Sequence, residues 1–182
     1  GVDGMAIYYT YQHADAWEAA KRNGFLFGDP NYGMLKDEDD ANHRPAYDWL
    51  ADQYEQRKKR LLNGNDPVWL SDTKPNVARG GFLEVGEPGV VLTVELPDEA
   101  VLELEAGYWV FALNRWFLSF EDREAKSEEE LRTSWEKMFD REWCEAIVEE
   151  YPETNTKYYY IVDRIHLHQV LGVQAFIEQG VS

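Results

Sequence analysis

The chain has 182 residues and carries 35 Asp and Glu against 18 Lys and Arg, a formal charge of −17. Proteins that hold nucleic acid irrespective of sequence neutralise phosphates with Lys and Arg, so this balance argues against such a binder and against docking on anionic lipid. At 44% hydrophobic and 14% aromatic, the chain has the material for one core of ordinary domain size, which excludes whole-chain disorder.

Residues 1–4, ahead of Met5, read as a cloning remnant, and 5–182 as a single domain. Ala6 to Tyr11 is rich in β-branched and aromatic residues and reads as a first strand. His13 to Asn23 carries Ala14, Trp17 and Ala20 at helical spacing, with Gly24 as its C-terminal stop. Phe25-Leu26-Phe27 is a short apolar run closed by the turn signal Gly28-Asp29-Pro30, and Lys36 to Arg44 reads as a polar loop. Pro45 suits the first position of a helix whose apolar face continues through Trp49, Leu50 and Tyr54 toward Leu62. Val68 to Leu70 is a short strand, and Ser71 to Phe82 a loop long enough to suspect of function.

Gly89 to Leu96 is the clearest strand. Glu105 to Ser119 is apolar on nearly every side; its length favours a helix, with Asn114 and Arg115 inside it. Ser127 and Glu130 form a capping box that opens a helix bearing Leu131, Trp135 and Met138, and a further helical segment runs to about Glu150. Tyr158 to Ile165 reads as one strand, Leu167 to Leu171 as a single helical turn and Val173 to Ile177 as a last strand. Helices and strands alternate too irregularly for a doubly wound parallel sheet, so the class is α+β: a small mixed or antiparallel sheet with flanking helices, a split sheet being one form open to it.

The chemistry-bearing motifs are few. No stretch approaches the roughly 20 apolar residues of a membrane span, so no membrane partner is expected. Cys144, the single cysteine, can form neither an intramolecular disulfide nor a CxxC knuckle, and no signal-peptide pattern opens the chain, which points to a reduced, cytoplasmic protein. Acidic neighbours Glu142 and Glu145 argue against a reactive thiolate. His166 and His168 would face one side of a strand but have no further ligand at metal spacing, so they read as structural and no metal is expected. Nucleophile-elbow, Walker, HExxH and GxGxxG patterns are absent from the sequence.

What stands out is polar residues within apolar, aromatic elements: Thr10 and Gln12 on the first strand, Asn114 in the most hydrophobic segment, and Arg79 in the long loop. A buried Asn needs a hydrogen-bond partner, from the fold or from a ligand. Tyr9, Tyr47, Trp69, Trp109 and Trp116 supply rings for a core or for a cleft that stacks a planar group. The charge is uneven: residues 1–91 hold 15 acidic and 10 basic groups and 92–182 hold 20 and 8, giving −5 and −12. The surplus lies mostly between Glu121 and Glu153, which commonly means a solvated helical face. Arg57-Lys58-Lys59-Arg60 falls in the less acidic half, so the argument against nucleic acid holds for the whole surface but not for every face of it.

The order Tyr9-Thr10-Tyr11-Gln12, Pro45-Ala46-Tyr47-Asp48-Trp49-Leu50 with Gln53 and Arg57, Pro67-Val68-Trp69-Leu70, Lys74-Pro75 and Arg79 resembles an uncharacterised bacterial family catalogued as domain of unknown function 3841. The likeness continues through Val91 to Pro97, Trp109 with Leu113-Asn114 and Trp116, Ser134-Trp135-Glu136 to Phe139-Asp140, and Val170 to Phe176. That resemblance implies a fold-sized unit and no particular reaction. More distantly, the short first strand with polar residues, the helix closed by Gly24 ahead of Phe25-Leu26, and the closing Ile165-x-Leu167-x-x-Val170-x-x-Val173 unit are similar to compact ADP-ribosyltransferase-like domains.

In that superfamily a polar or basic residue of the first strand and a cleft of aromatics hold NAD, and a late Glu orients the ribose. The resemblance implies Gln12 or Thr10 in the first role, and Tyr9, Tyr47 or Trp69 stacking the nicotinamide. Arg79 would pair with the pyrophosphate, and Gln12 and Asn114, the candidate catalytic residues, would bond ribose or amide groups. Tyr158 to Val162 contains no carboxylate, so the late Glu has no counterpart on that strand. The alternative function is a non-enzymatic module whose acidic helices bind a basic protein partner.

Overall fold

In the computed structural model, which describes residues 4–29 and 40–181, strand β1 (Met5–His13) leads into helix α1 (Ala14–Asn23). His13 caps that helix, its Nδ1 accepting from the Asp15 amide at 3.0 Å, and Gly24, at φ 91°, closes it by donating to the Ala20 carbonyl at 2.8 Å. There follow β2 (Phe25–Phe27), α2 (Asp40–Lys58), β3 (Val68–Leu70), β4 (Pro88–Pro97), β5 (Leu102–Glu105), α3 (Ala106–Leu113), α4 (Glu128–Trp135), α5 (Arg141–Glu150), β6 (Tyr158–Val162), β7 (Arg164–His166) and β8 (Val170–Ile177). Every strand pairing is antiparallel, in sheets ordered β1-β4-β8, β2-β7 and β3-β6-β5. The class is α+β, with a split sheet. No helix of the described residues is long and apolar enough to cross a membrane.

One isolated backbone bridge joins the two three-stranded sheets. Tyr9 of β1 and Ser71, just past β3, exchange both backbone hydrogen bonds at 2.8 and 2.9 Å. On either side of that bridge β1 and β3 diverge. The β3-β6-β5 sheet separates two cores, because successive residues of a strand point to opposite faces. Val68, Leu70 and Val162 pack with Leu92, Val94 and Leu96 of β4 in the first core, whereas Leu102, Leu104 and Ile161 pack with Trp49, Leu50, Tyr54 and Trp135 in the second.

Several sequence expectations change. The described part of the expected polar loop, from Asp40 on, is helical, and Pro45 sits inside α2 rather than opening it; the remainder of that loop, with Pro30, lies outside the described residues. The same helix stops at Lys58, short of Leu62, because Lys59 takes a left-handed backbone (φ 57°). The apolar run from Glu105 divides into the end of β5, the short helix α3 and an irregular stretch. Helix α3 ends in a Schellman motif: Trp116 donates to the Phe111 carbonyl at 2.9 Å and Arg115 to that of Ala112 at 3.2 Å. Arg115, at φ 57°, occupies the position usually given to glycine, so composition gave no sign of the stop.

The expected strand over Tyr158 to Ile165 is interrupted at Asp163. Its amide donates to the Tyr54 hydroxyl at 3.0 Å, and the chain passes there from the β3-β6-β5 sheet to the β2-β7 sheet. The capping box at Ser127 is half as expected. Ser127 Oγ accepts from the Glu130 amide at 3.0 Å, but Glu130 reaches back to the amide of Lys126 rather than that of Ser127.

Candidate functional site

The divergence of β1 from β3 brings most of the candidate side chains to one neighbourhood but divides them between two faces. Residues directly opposite in an antiparallel pair point to the same side, so the Tyr9–Ser71 bridge puts Tyr9 and Tyr11 on the face that carries Trp69. Tyr8, Thr10 and Gln12 point to the other face, where Tyr8 packs on Tyr160 with ring centroids 5.1 Å apart.

On the first face the rings form a connected group. Trp69 lies 6.5 Å from Tyr47, 5.5 Å from Trp109 and 6.2 Å from Tyr159, and Tyr47 meets Trp109 edge to face at 5.2 Å. Helix α2 supplies Tyr47, α3 supplies Trp109, and both lean on the strand face that Trp69 occupies. Arg44, one turn before Tyr47, lies 5.4 Å from the centre of its ring and is fixed there by a two-pronged pair with Asp66, one bond of it 3.0 Å long. Burial raises the Tyr11 phenol, and nearby Tyr159 raises it further.

The loop after β3 approaches this same face. Phe82 packs edge-on against Tyr11 at 5.0 Å, and Arg79, exposed, lies three residues earlier. What holds this loop is Glu178, just after β8, whose side chain is only 1% exposed. Its two oxygens accept from the amides of Gly81 (3.0 Å), Phe82 (2.8 Å), Leu83 (3.1 Å) and Gly180 (2.8 Å). These donors, the Leu83 amide foremost, hold the carboxylate down to about pKa 2. Nothing in the sequence marked Glu178: the signal is a Gly-Gly pair distant along the chain from a Glu that precedes another Gly.

On the opposite face Thr10 is 4% exposed, and its hydroxyl accepts from the Gln12 side-chain amide at 2.9 Å. Gln12 is half-buried at the end of β1, beside His13, whose Nε2 lies 2.9 Å from the Glu87 carboxylate. Asn114 corrects the expectation of a buried polar group. It is exposed at the C-terminus of α3, and its side-chain amide donates to the Val110 carbonyl of its own helix at 2.9 Å. That contact answers the hydrogen-bond demand within the fold. The site thus gathers Tyr9, Tyr47, Trp69 and the loop of Arg79 on one face and Thr10 with Gln12 on the other, and leaves Asn114 at the end of α3.

Two other regions hold charge or space. An open groove of about 450 Å³ runs along α4, lined by Phe117, Arg123, Glu130 and Lys137 among others. It includes none of the candidate residues, and its Arg123 already pairs with Glu121 and Glu130, so the ring-lined face is the better candidate. The basic cluster at the end of α2 is engaged within the chain: Arg57 pairs with Glu136 at 3.1 Å, Arg60 with Asp163 at 3.1 Å, and Lys58 reaches the Asp98 carbonyl at 3.5 Å. It does not present a phosphate-binding stripe. His166 and His168 stack at 5.6 Å, and among the described residues no three His, Cys, Asp or Glu side chains are placed to share a metal ion.

A family model described as "Domain of unknown function (DUF3841)" matches residues 7–131, more than half of the chain. The chain belongs to the DUF3841 family. The matched span includes β1 from Ile7 on, the ring-bearing parts of α2 and α3, β3 and the Arg79 loop, so all the candidate residues of this DUF3841 domain lie inside it; Glu178 lies outside. Comparison with curated proteins and with solved structures gives no match.

Proposed function

We propose that this DUF3841 domain binds NAD or a related nucleotide where β1 and β3 diverge, in the manner of an ADP-ribosyltransferase-like domain. The observation that carries the reading is the shared face of Tyr9 and Trp69, with Tyr47 packed beside Trp69 and the Arg79 loop held on the same side through Tyr11 and Phe82. In this reading Tyr47 and Trp69 stack the nicotinamide, and the free guanidinium of Arg79 forks the pyrophosphate. Thr10 and Gln12, bonded to each other on the reverse face of β1, support the strand from behind. Asn114 stands at the end of α3, about 7.5 Å along the helix axis from Trp109, bonded to its own helix. Because β6 carries no carboxylate, binding is to be measured before turnover. A bacterial, cytoplasmic setting belongs to the same reading.

The test is calorimetric titration of the purified protein with NAD, with Arg79→Gln and Trp69→Phe beside it. Loss of a charged hydrogen bond to the pyrophosphate weakens binding by about tenfold or more in Arg79→Gln. Absence of any binding at millimolar NAD overturns the proposal.

A second reading, an acidic surface that takes a basic protein partner, is favoured by carboxylates left without ion pairs. Glu128 and Glu130 are engaged by Arg115, Arg132 and Arg123, and Glu145 by Tyr158, whereas Glu129, Glu142, Glu149 and Glu150 form no ion pair among the described residues. It is tested by salt-dependent binding that weakens when these four are neutralised.

A further inference from the structure

Six aromatic rings run in an unbroken strip from α5 to the end of α3. Tyr151 stacks on Phe120 (5.5 Å, 8° between planes), Phe120 meets Trp143 (6.1 Å), Trp143 meets Tyr108 (5.4 Å), Tyr108 meets Phe111 (6.0 Å) and Phe111 meets Trp116 (5.7 Å). The middle of the strip is half-buried, but its ends are open: Phe120 is 59% exposed, Trp116 53% and Tyr151 37%. Large exposed rings at both ends of a connected strip mark a surface that another molecule covers.

The charge around the strip names that molecule. Residues 116–153 contain 13 acidic side chains against 5 basic. Of the basic ones, Arg123, Arg132 and Arg141 are already paired with carboxylates, and Lys137 lies over Trp143 at 5.3 Å. Asp122, Glu142, Glu149 and Glu150, next in sequence to the rings or one residue removed, are exposed and form no ion pair among the described residues. The fold also shows repeatedly what a ring beside a carboxylate holds. Arg123 lies over Phe117 at 5.1 Å while bound to Glu130, Arg141 over Tyr158 at 4.1 Å while bound to Glu103, and Arg57 over Phe139 at 4.4 Å while bound to Glu136. No cation of the described residues lies over Trp116, Phe120 or Tyr151.

Resting on the second reading above, we infer that this strip is the docking surface for an arginine-rich extended segment of a protein partner, whose guanidinium groups stack on Trp116, Phe120 and Tyr151 and fork the carboxylates beside Phe120 and Tyr151. Arginine rather than lysine is specified because a planar guanidinium satisfies ring and carboxylate together, as Arg123 and Arg141 do within the chain.

The experiment titrates the full chain with a fluorescent alternating Arg-Gly peptide, its Lys-Gly counterpart and its citrulline-Gly counterpart, against three proteins: the parent, Trp116→Ala/Phe120→Ala, and Asp122→Asn/Glu149→Gln/Glu150→Gln. Circular dichroism and sedimentation are recorded for each. Expected is salt-sensitive binding of the arginine peptide by the parent, several-fold weaker binding of the lysine peptide, none of the citrulline peptide, and a loss of about tenfold in the ring variant with its fold intact. The charge variant also weakens and loses most of its salt dependence. If the ring variant binds as well as the parent while the charge variant does not, the strip is overturned and the acidic surface stands; if the parent binds none of the peptides, both fall. A parent that dimerises through the strip, with a monomeric ring variant, assigns the surface to a second copy and also overturns the inference.

Discussion

The carboxylate of Glu178 and the backbone of Gly80 share a space that admits no further atom. A Cβ built on Gly80 would lie 1.9 Å from the Gly180 carbonyl oxygen and 2.9 Å from Glu178 Oε2. Gly80 also takes φ 71° and ψ −178°, a region that is in practice glycine's alone. Gly80→Ala is therefore expected to cost about 3 kcal/mol or more, from strain and from moving backbone that cannot give way. For a chain of this size that lowers the melting temperature by roughly 6–12 °C, read by calorimetry. Gly24→Ala, which has a positive φ but open space around it, costs less.

The same clamp predicts a pH dependence. Glu178 is held at about pKa 2 in the fold, below its value of 4.5 in an unfolded chain. A depressed carboxyl contributes stability above the unfolded pKa and loses it as pH falls toward the folded one. Urea midpoints of the parent and Glu178→Gln are thus expected to differ by a constant amount above about pH 5 and to converge between pH 4.5 and 2. A gap that stays constant down to pH 2.5 would remove the clamp from the account.

How far the sequence disclosed this architecture depends on whether a signal was local. The Gly24 stop, the strand at Val68 to Leu70 and the Ser127 cap are written in adjacent residues, and they stand where pattern places them. The stop after α3 was not legible, because Arg115 adopts a glycine conformation without being glycine. The break at Asp163 was hidden too, since its cause, the Tyr54 hydroxyl, lies 109 residues away in sequence. The candidate rings Tyr47 and Trp69 do meet, but only the strand pairing reveals that Thr10 and Gln12 face away from them. Glu178 escaped notice because its four partners are backbone amides, which no composition records.

Tyr54 provides a test of the break itself. Its hydroxyl donates to the Ala100 carbonyl at 2.6 Å, accepts from the Asp163 amide at 3.0 Å and stands 3.2 Å from the Asp163 carboxylate, all buried. Burial and the charge of Asp163 push its pKa well above the usual phenol value. Tyr54→Phe leaves those groups without their partner and is expected to cost about 1–3 kcal/mol in urea unfolding. In an alkaline absorbance titration this tyrosine ionises only when the fold opens.

Cys144 is fully buried, and burial, reinforced by Glu105, Asp140 and Glu145, pushes its thiol up to about 12. At pH 8 only about one thiol in ten thousand is ionised. A disulfide reagent is therefore expected to label the folded protein no faster than it unfolds, and the denatured protein at once. Rapid labelling under native conditions would contradict this burial.

Strand β6 is the middle member of its sheet, between β3 and β5, and neighbouring residues on it belong to different cores: Ile161 to one, Val162 to the other. A slip of one residue would exchange the contents of both cores at once, so its register is fixed twice over. The span matched by the DUF3841 model ends at residue 131 and omits this strand. A fragment cut there would retain every candidate ligand-binding residue, yet β3 and β5 would have nothing between them and β4 would lose β8. Its amides are expected to exchange with solvent as those of an unfolded chain: the shorter sequence carries the proposed chemistry, and the longer one makes it a cooperative folding unit.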